Sequence, residues 1–221
     1  MIRFLPLLVS LSPISLSPTS AAAACIPIAR LHYEGGGDWY SNRSSIPNLA
    51  RFVSTRTNVD LCTSPEPAIR LTDPELFSYP YLFMTGHGRV HFSEREAARL
   101  REYLSAGGFL HVDDNFGLDE SLRKELAHVF PDAPLVELPP AHAIFAAPFP
   151  FANGLPKIHE HHGGPPHAYG LYLNDRLALF YSFNTDLSDG WEDPGVHEDP
   201  EELRRAALRM GANIVVHAFT R

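Results

Sequence analysis

Apolar positions in this chain recur with period two in short runs and near 3.6 in longer ones, and the switches predict alternating strands and helices. Ile28 to Glu34 alternates apolar with polar residues and predicts a first strand, followed by the glycine-rich loop Gly35 to Asn42 and a helix from about Pro47 to Arg56. Val59–Cys62 reads as a short second strand, and Tyr81–Thr85, bounded by Pro80 and Gly86, as a buried one. Ser93-Glu94-Arg95-Glu96 is a capping box opening a helix whose inner face is Ala97, Leu100, Tyr103 and Leu104, with Gly107 just past its end. Phe109–Val112 then forms a strand running into Asp113 and Asp114. A helix from Asp119 to about Phe130 turns Leu122, Leu126 and Val129 inward, and Leu135–Leu138 is a further strand.

The second half changes character. Pro139 to Pro166 is rich in Pro, Gly, His and aromatic residues and too long for an ordinary connection, which points to a functional or disordered segment. Tyr169–Leu173 and Leu177–Phe183 flank Asn174-Asp175, a hairpin turn signal. Asp199-Pro200-Glu201-Glu202 starts a last helix whose stripe is Leu203, Ala206, Ala207, Met210 and Ile214. Strand–helix alternation predicts an α/β three-layer sandwich with a mostly parallel central sheet, plus a C-terminal hairpin and helix.

Composition adds a compartment. The apolar segment Phe4 to Leu16, interrupted by Pro6 and Pro13, precedes the small residues Ser20 to Ala24. Residues 1–24 therefore read as a secretory signal peptide and residues 25–221 as one periplasmic or secreted domain. Cys25, directly after the alanines, has three readings: a disulfide with Cys62, an unrelated thiol, or a lipid-bearing first residue. The last is disfavoured by Ala22, where such sites usually carry Leu. The formal net charge is −8, and no basic cluster interleaved with aromatics marks a nucleic-acid footprint. No later apolar run approaches the length needed to cross a bilayer.

The candidate chemistry lies at strand ends, where ligands bind in open α/β sheets. Asp113 and Asp114 stand there, followed by Asn115. Alternation sends the two acids to opposite faces, so one is a candidate general base and the other a cap for the next turn. His87, between Gly86 and Gly88, would lie across from one of them and act as its partner or as an acid. His142 is a further candidate member of the pocket. In His159-Glu160-His161-His162, an extended backbone places His159 and His161 on one side, a workable pair for a divalent metal, with His162 beside them. Gly163 stands where H-E-x-x-H would need its second histidine. Asp186, Trp191 and Glu192 place carboxylates beside a tryptophan, a mixture suited to a stacked sugar; the plainer alternative is a tryptophan packed over the sheet edge. Neither a G-x-S-x-G elbow, a P-loop nor a dinucleotide fingerprint is present.

Gly37-Asp38-Trp39-Tyr40, Tyr81 to Arg89, Leu104 to Gly117, Asp186 to Glu192 and Met210-Gly211-Ala212-Asn213 together resemble the bacterial domain-of-unknown-function family 4159. The resemblance implies a fold similar to class I glutamine amidotransferases and trehalose-utilisation-type proteins, a flavodoxin-like sandwich. It implies little about function, though it adds Trp39 to the candidate ligand contacts. Amidotransferases carry their nucleophilic cysteine after the strand that here is Phe109–Val112. Asp113 and Asp114 occupy that place, which excludes ammonia release through a thioester. Two functions are expected from the whole: a polar pocket that binds a small saccharide-like ligand, with hydrolysis of that ligand as its candidate chemistry, or a non-catalytic module docking to an envelope protein.

Overall fold

The computed structural model describes residues 25–64, 66–159, 161 and 163–220. The expected signal peptide lies outside them. The strands are β1 (Ile28–Leu31), β2 (Ala68–Ile69), β3 (Tyr81–His87), β4 (Phe109–Phe116), β5 (Val136–Glu137), β6 (His167–Leu173) and β7 (Arg176–Phe183). The helices are α1 (Ser45–Arg56), α2 (Glu94–Ser105), α3 (Asp119–Val129) and α4 (Glu201–Thr220). All seven strands join one sheet in the order β2-β1-β3-β4-β7-β6-β5, in which only β6 runs against its neighbours. The parallel part follows the doubly wound order of flavodoxin-like sheets, whose crevice opens where the winding reverses, between β1 and β3.

Period-two alternation on the central strands builds two cores. Tyr81, Phe83, Phe109 and Phe180 face α1 and α4, with Leu49, Val53, Trp191, Met210 and Ile214. Leu82, Met84, Leu110, Val112 and Leu179 face α2 and α3, with Leu100, Leu104, Leu122 and Leu126. The result is the expected three-layer sandwich. Ser93 and Glu96 close the capping box of α2 as the sequence predicts. Asn174 and Asp175 both take left-handed φ angles, 51° and 63°, as a two-residue hairpin turn between β6 and β7 requires. Among the described residues no helix is long and apolar enough to cross a membrane.

One predicted strand is misplaced. Val59–Cys62 makes only a single bridge, Leu61 to Ile26, and the edge strand is Ala68–Ile69 from the proline-rich connector. The bonds of that bridge are Ile26 N–H to Asp60 O (2.8 Å) and Cys62 N–H to Ile26 O (2.9 Å), one rung of a parallel ladder. Cys62 is instead tied to Cys25 by a disulfide with the Cα atoms 5.0 Å apart, which selects one of the three readings of Cys25.

Gly211 shows how tightly α4 meets this core. A methyl group there would stand 2.6 Å from Leu49 Cδ1 and 2.8 Å from Trp191 Cζ2. Replacing a helix-interior glycine by alanine gains about 1 kcal/mol, whereas overpacking costs about 1–3 kcal/mol. Gly211→Ala is therefore expected to lower stability in urea unfolding, by about 1 kcal/mol. A stabilised variant would mean that α1 and α4 part freely.

Candidate functional site at the strand ends

Thr85, Asp113 and Ser182 stand in register on β3, β4 and β7, all on the α1/α4 side. Asp113 is fully buried and accepts from Ser182 Oγ (2.5 Å), Ser188 N (2.7 Å), Ser188 Oγ (2.7 Å) and Leu187 N (3.3 Å). Burial pushes its carboxyl up and these donors oppose the shift. Asp114 points to the other face, where Oδ1 accepts from Leu118 N (3.0 Å) ahead of α3 and Oδ2 from Tyr181 Oη (3.3 Å). Burial raises Asp114 to about 6. The expected division of the pair between two faces is observed, with Asp114 as the cap.

A buried polar network continues beneath them. His111 Nδ1 lies 3.0 Å from Tyr81 Oη and its Nε2 3.2 Å from Ser182 Oγ. Burial lowers His111 to about 3, so it is neutral. Asn42 donates to Ser188 Oγ and to Asp189 Oδ1, both at 2.7 Å, and Asn115 joins Thr85 Oγ1 (2.9 Å) to Asn42 Oδ1 (3.3 Å).

Above this network runs a row of imidazoles, each backed by a carboxylate. His87 Nδ1 is 3.1 Å from Asp38 Oδ2, and its backbone N–H donates to Asp38 Oδ1. This pair spans the β1/β3 reversal. His161 Nε2 lies 3.6 Å from Asp186 Oδ2 and His159 Nδ1 3.8 Å from Asp199 Oδ1. His197 is held between Asp189 (3.6 Å) and Glu192 (2.9 Å). Ring centroids are 5.6 Å apart from His87 to His161, 5.1 Å from His161 to His159 and 6.2 Å from His159 to His197. A carboxylate behind an imidazole fixes its tautomer and aim.

Asp186 is the unusual member. It sits at φ 53°, a conformation Asp tolerates, and is 2% exposed, yet among the described residues its Oδ1 meets no hydrogen-bond partner. Burial, then the negative charges of Asp113, Asp189 and Asp114, push its pKa up to about 9 against the opposing pull of Lys157. Burial also raises Asp189 to about 6, with His197 opposing.

The structure thus brings together His87, Asn115, Asp186, His159 and His161, with Trp39 one residue from Asp38 and stacked on His32 at 4.0 Å. Four expectations need correction. His87 takes Asp38 as its partner, not Asp113 or Asp114, because both acids turn into the layers. Trp191 is fully buried against Phe83 and His111, its indole N–H donating to Ala207 O at 2.8 Å, so it packs the core and presents no stacking face. Glu192 accepts from Ser44 N and Oγ at 3.2 Å and braces His197, a clamp within the fold. His142 lies near the β6–β7 turn, at the opposite end of the sheet, bonded to Tyr172 Oη at 2.9 Å.

For the metal reading, His159 and His161 do stand side by side, each facing its own acid, whereas His162 lies outside the described residues. Among the described residues no group of three or more His, Cys, Asp or Glu is placed to hold a metal ion. Sequence reasoning missed Asp38, Asn42, His111, Asp189 and His197. Asp38 and Asp189 fall in the segments that carried the family resemblance. His197 sits in a loop with no period, and only its contacts reveal it.

A doubly wound α/β sandwich with polar side chains converging on the carboxyl ends of its parallel strands is the class these observations define. The chain belongs to the family of the domain of unknown function DUF4159, whose family model matches residues 27–219. No characterised protein matches it.

Proposed function

We propose that this surface binds a small hydroxyl-rich, saccharide-like ligand and hydrolyses it by acid–base chemistry, on a domain exported from the cytoplasm. The observation that carries the reading is Asp186: a buried carboxyl that keeps its proton to about 9, with Oδ2 3.6 Å from His161 and Oδ1 unpartnered among the described residues. His87, aimed by Asp38, takes a proton from the attacking water. His161, with the protonated Asp186 behind it, gives a proton to the leaving oxygen as the C–O bond breaks. Phe116, 50% exposed and 5.5 Å from His161, supplies the apolar face for a sugar ring that Trp191 does not. The Cys25–Cys62 bond supports an oxidising compartment and hence export.

The rival reading, a non-catalytic module that docks to an envelope protein, is favoured by one observation: Asp113, Asp114 and Glu192 are all engaged inside the fold. A calorimetric screen of neutral mono- and oligosaccharides, followed by turnover assays on the best binder, separates the two. His87→Ala and Asp186→Asn should each cut turnover at least about 100-fold, the usual scale of one acid–base group, while the variants stay folded. No binder in the screen, or turnover unchanged in both variants, would reject the hydrolase in favour of the docking module.

A further inference from the structure

A second site lies on another face. Between α1 and α4 a cleft of about 410 Å³ is lined by Phe52, Arg56, Phe149, Arg204, Arg205 and Arg209, and it shares no residue with the strand-end surface. A second cleft of about 280 Å³ adjoins it through Phe149, Arg205 and Arg209. Four guanidinium groups therefore meet in one concavity of a chain whose formal net charge is −8. Among the described residues Glu201 lines the larger cleft and Glu202 the smaller; both are exposed, and Glu201 reaches Arg204 and Arg205 at 3.3 Å each. Surface pairs of that kind neutralise little. Arg56 and Arg209 make no ion pair or hydrogen bond among the described residues. Arg209 instead lies over the Phe149 ring, 5.6 Å from its centroid, and Phe149 is 5.9 Å from Phe52.

A solvated basic face would need neither the concavity nor the aromatic floor. We infer that this cleft binds a phosphomonoester carrying an apolar group, with Arg56, Arg205 and Arg209 on the phosphate and the apolar part on Phe52 and Phe149. A phosphomonoester suits the charge. Four guanidinium groups outnumber the two exposed carboxylates Glu201 and Glu202, so a dianion offsets repulsion that a single carboxylate would leave. The guanidinium fork matches phosphate oxygens two at a time. The apolar group could belong to a free aryl phosphate or to a lipid with a phosphomonoester head.

The test is titration calorimetry with inorganic phosphate and phenyl phosphate, alongside flotation with phosphatidic acid vesicles and neutral phosphatidylcholine vesicles as the control. The proteins are the wild type, the double variant R56Q/R209Q, and F149A. Phenyl phosphate is expected to bind more tightly than inorganic phosphate. The double variant should weaken it at least tenfold, F149A should remove the preference, and added salt should weaken all binding. Circular dichroism should show all three proteins folded; the melting curve of R56Q/R209Q should match the wild type, because both arginines are exposed, whereas F149A, which removes a half-buried ring packed on the core, should melt lower while staying folded at the assay temperature. Flotation with phosphatidic acid that is lost in R56Q/R209Q, without binding of phenyl phosphate, would assign the same phosphate chemistry to a lipid head. Binding to neither probe, or binding unchanged in the double variant, overturns the site.

Discussion

Asp113→Ala should lower the free energy of unfolding by about 3–5 kcal/mol, the range for breaking a buried, charge-bearing hydrogen-bond network. Its carboxylate gathers four donors from β7 and the loop that follows. The two serine hydroxyls can turn elsewhere, since Ser182 Oγ also lies 3.2 Å from Val112 O and Ser188 Oγ 3.3 Å from Thr85 Oγ1. The backbone N–H groups of Leu187 and Ser188 cannot, and a buried donor left unpaired costs about 1–3 kcal/mol. Asp114→Ala is the control. It loses one capping bond to Leu118 and one to Tyr181, whose hydroxyl keeps Asp119 at 3.0 Å, and it relieves repulsion between neighbouring carboxyls. Its cost should stay near 1 kcal/mol. Urea unfolding of the two variants decides the matter: equal costs would mean that Asp113 does not organise the loop.

Raising the pH from 7 to 8.5 should cost the wild type about 2 kcal/mol of stability, and Asp186→Asn should remove most of the loss. The folded pKa of Asp186, about 9, lies above the unfolded value of about 4. Between those values the folded chain holds a proton that the unfolded chain has released. Stability then falls as pH rises, at about 1.4 kcal/mol per unit, until the folded pKa is passed. Asp114 and Asp189, raised to about 6, contribute in the same direction but only below that pH. His111 acts oppositely and also lower: held neutral down to about 3, it makes folding less favourable as pH drops below about 6.5. In the interval from 7 to 8.5 Asp186 therefore dominates; exposed His91, raised by its hydrogen bond to Glu125, adds a small loss of the same sign that both proteins share. Asn keeps the left-handed backbone and removes the charge, so the variant should be the more stable protein at pH 8.5. Parallel pH slopes for both proteins would show that Asp186 is ionised throughout.

The failed expectations about Trp191 and His87 share a cause. A tryptophan between Gly190 and Glu192 reads as a loop residue, and nothing local reveals that α4 and Phe83 close over it. His87 pairs with Phe116, two residues past Asp114 on the neighbouring strand, and the loop after β1 brings Asp38 to it across 49 positions.

What the chain determined by itself is short-range: the runs that become strands, the capping box of α2, the Asn174-Asp175 turn, and the alternation that had to divide Asp113 from Asp114. Each rests on backbone bonds and periodicities spanning a few residues, so the pattern is written locally. Only the tertiary structure decided which acid became the cap, which cysteine reading held, and which carboxylate backs each imidazole. The donors that occupy Asp113 come from Ser182, Leu187 and Ser188, 69 to 75 positions away, and the cysteines pair across 37. Contacts at such separations form only once strands, helices and loops are assembled around the sheet, and period two says which face a residue takes, never what it meets there.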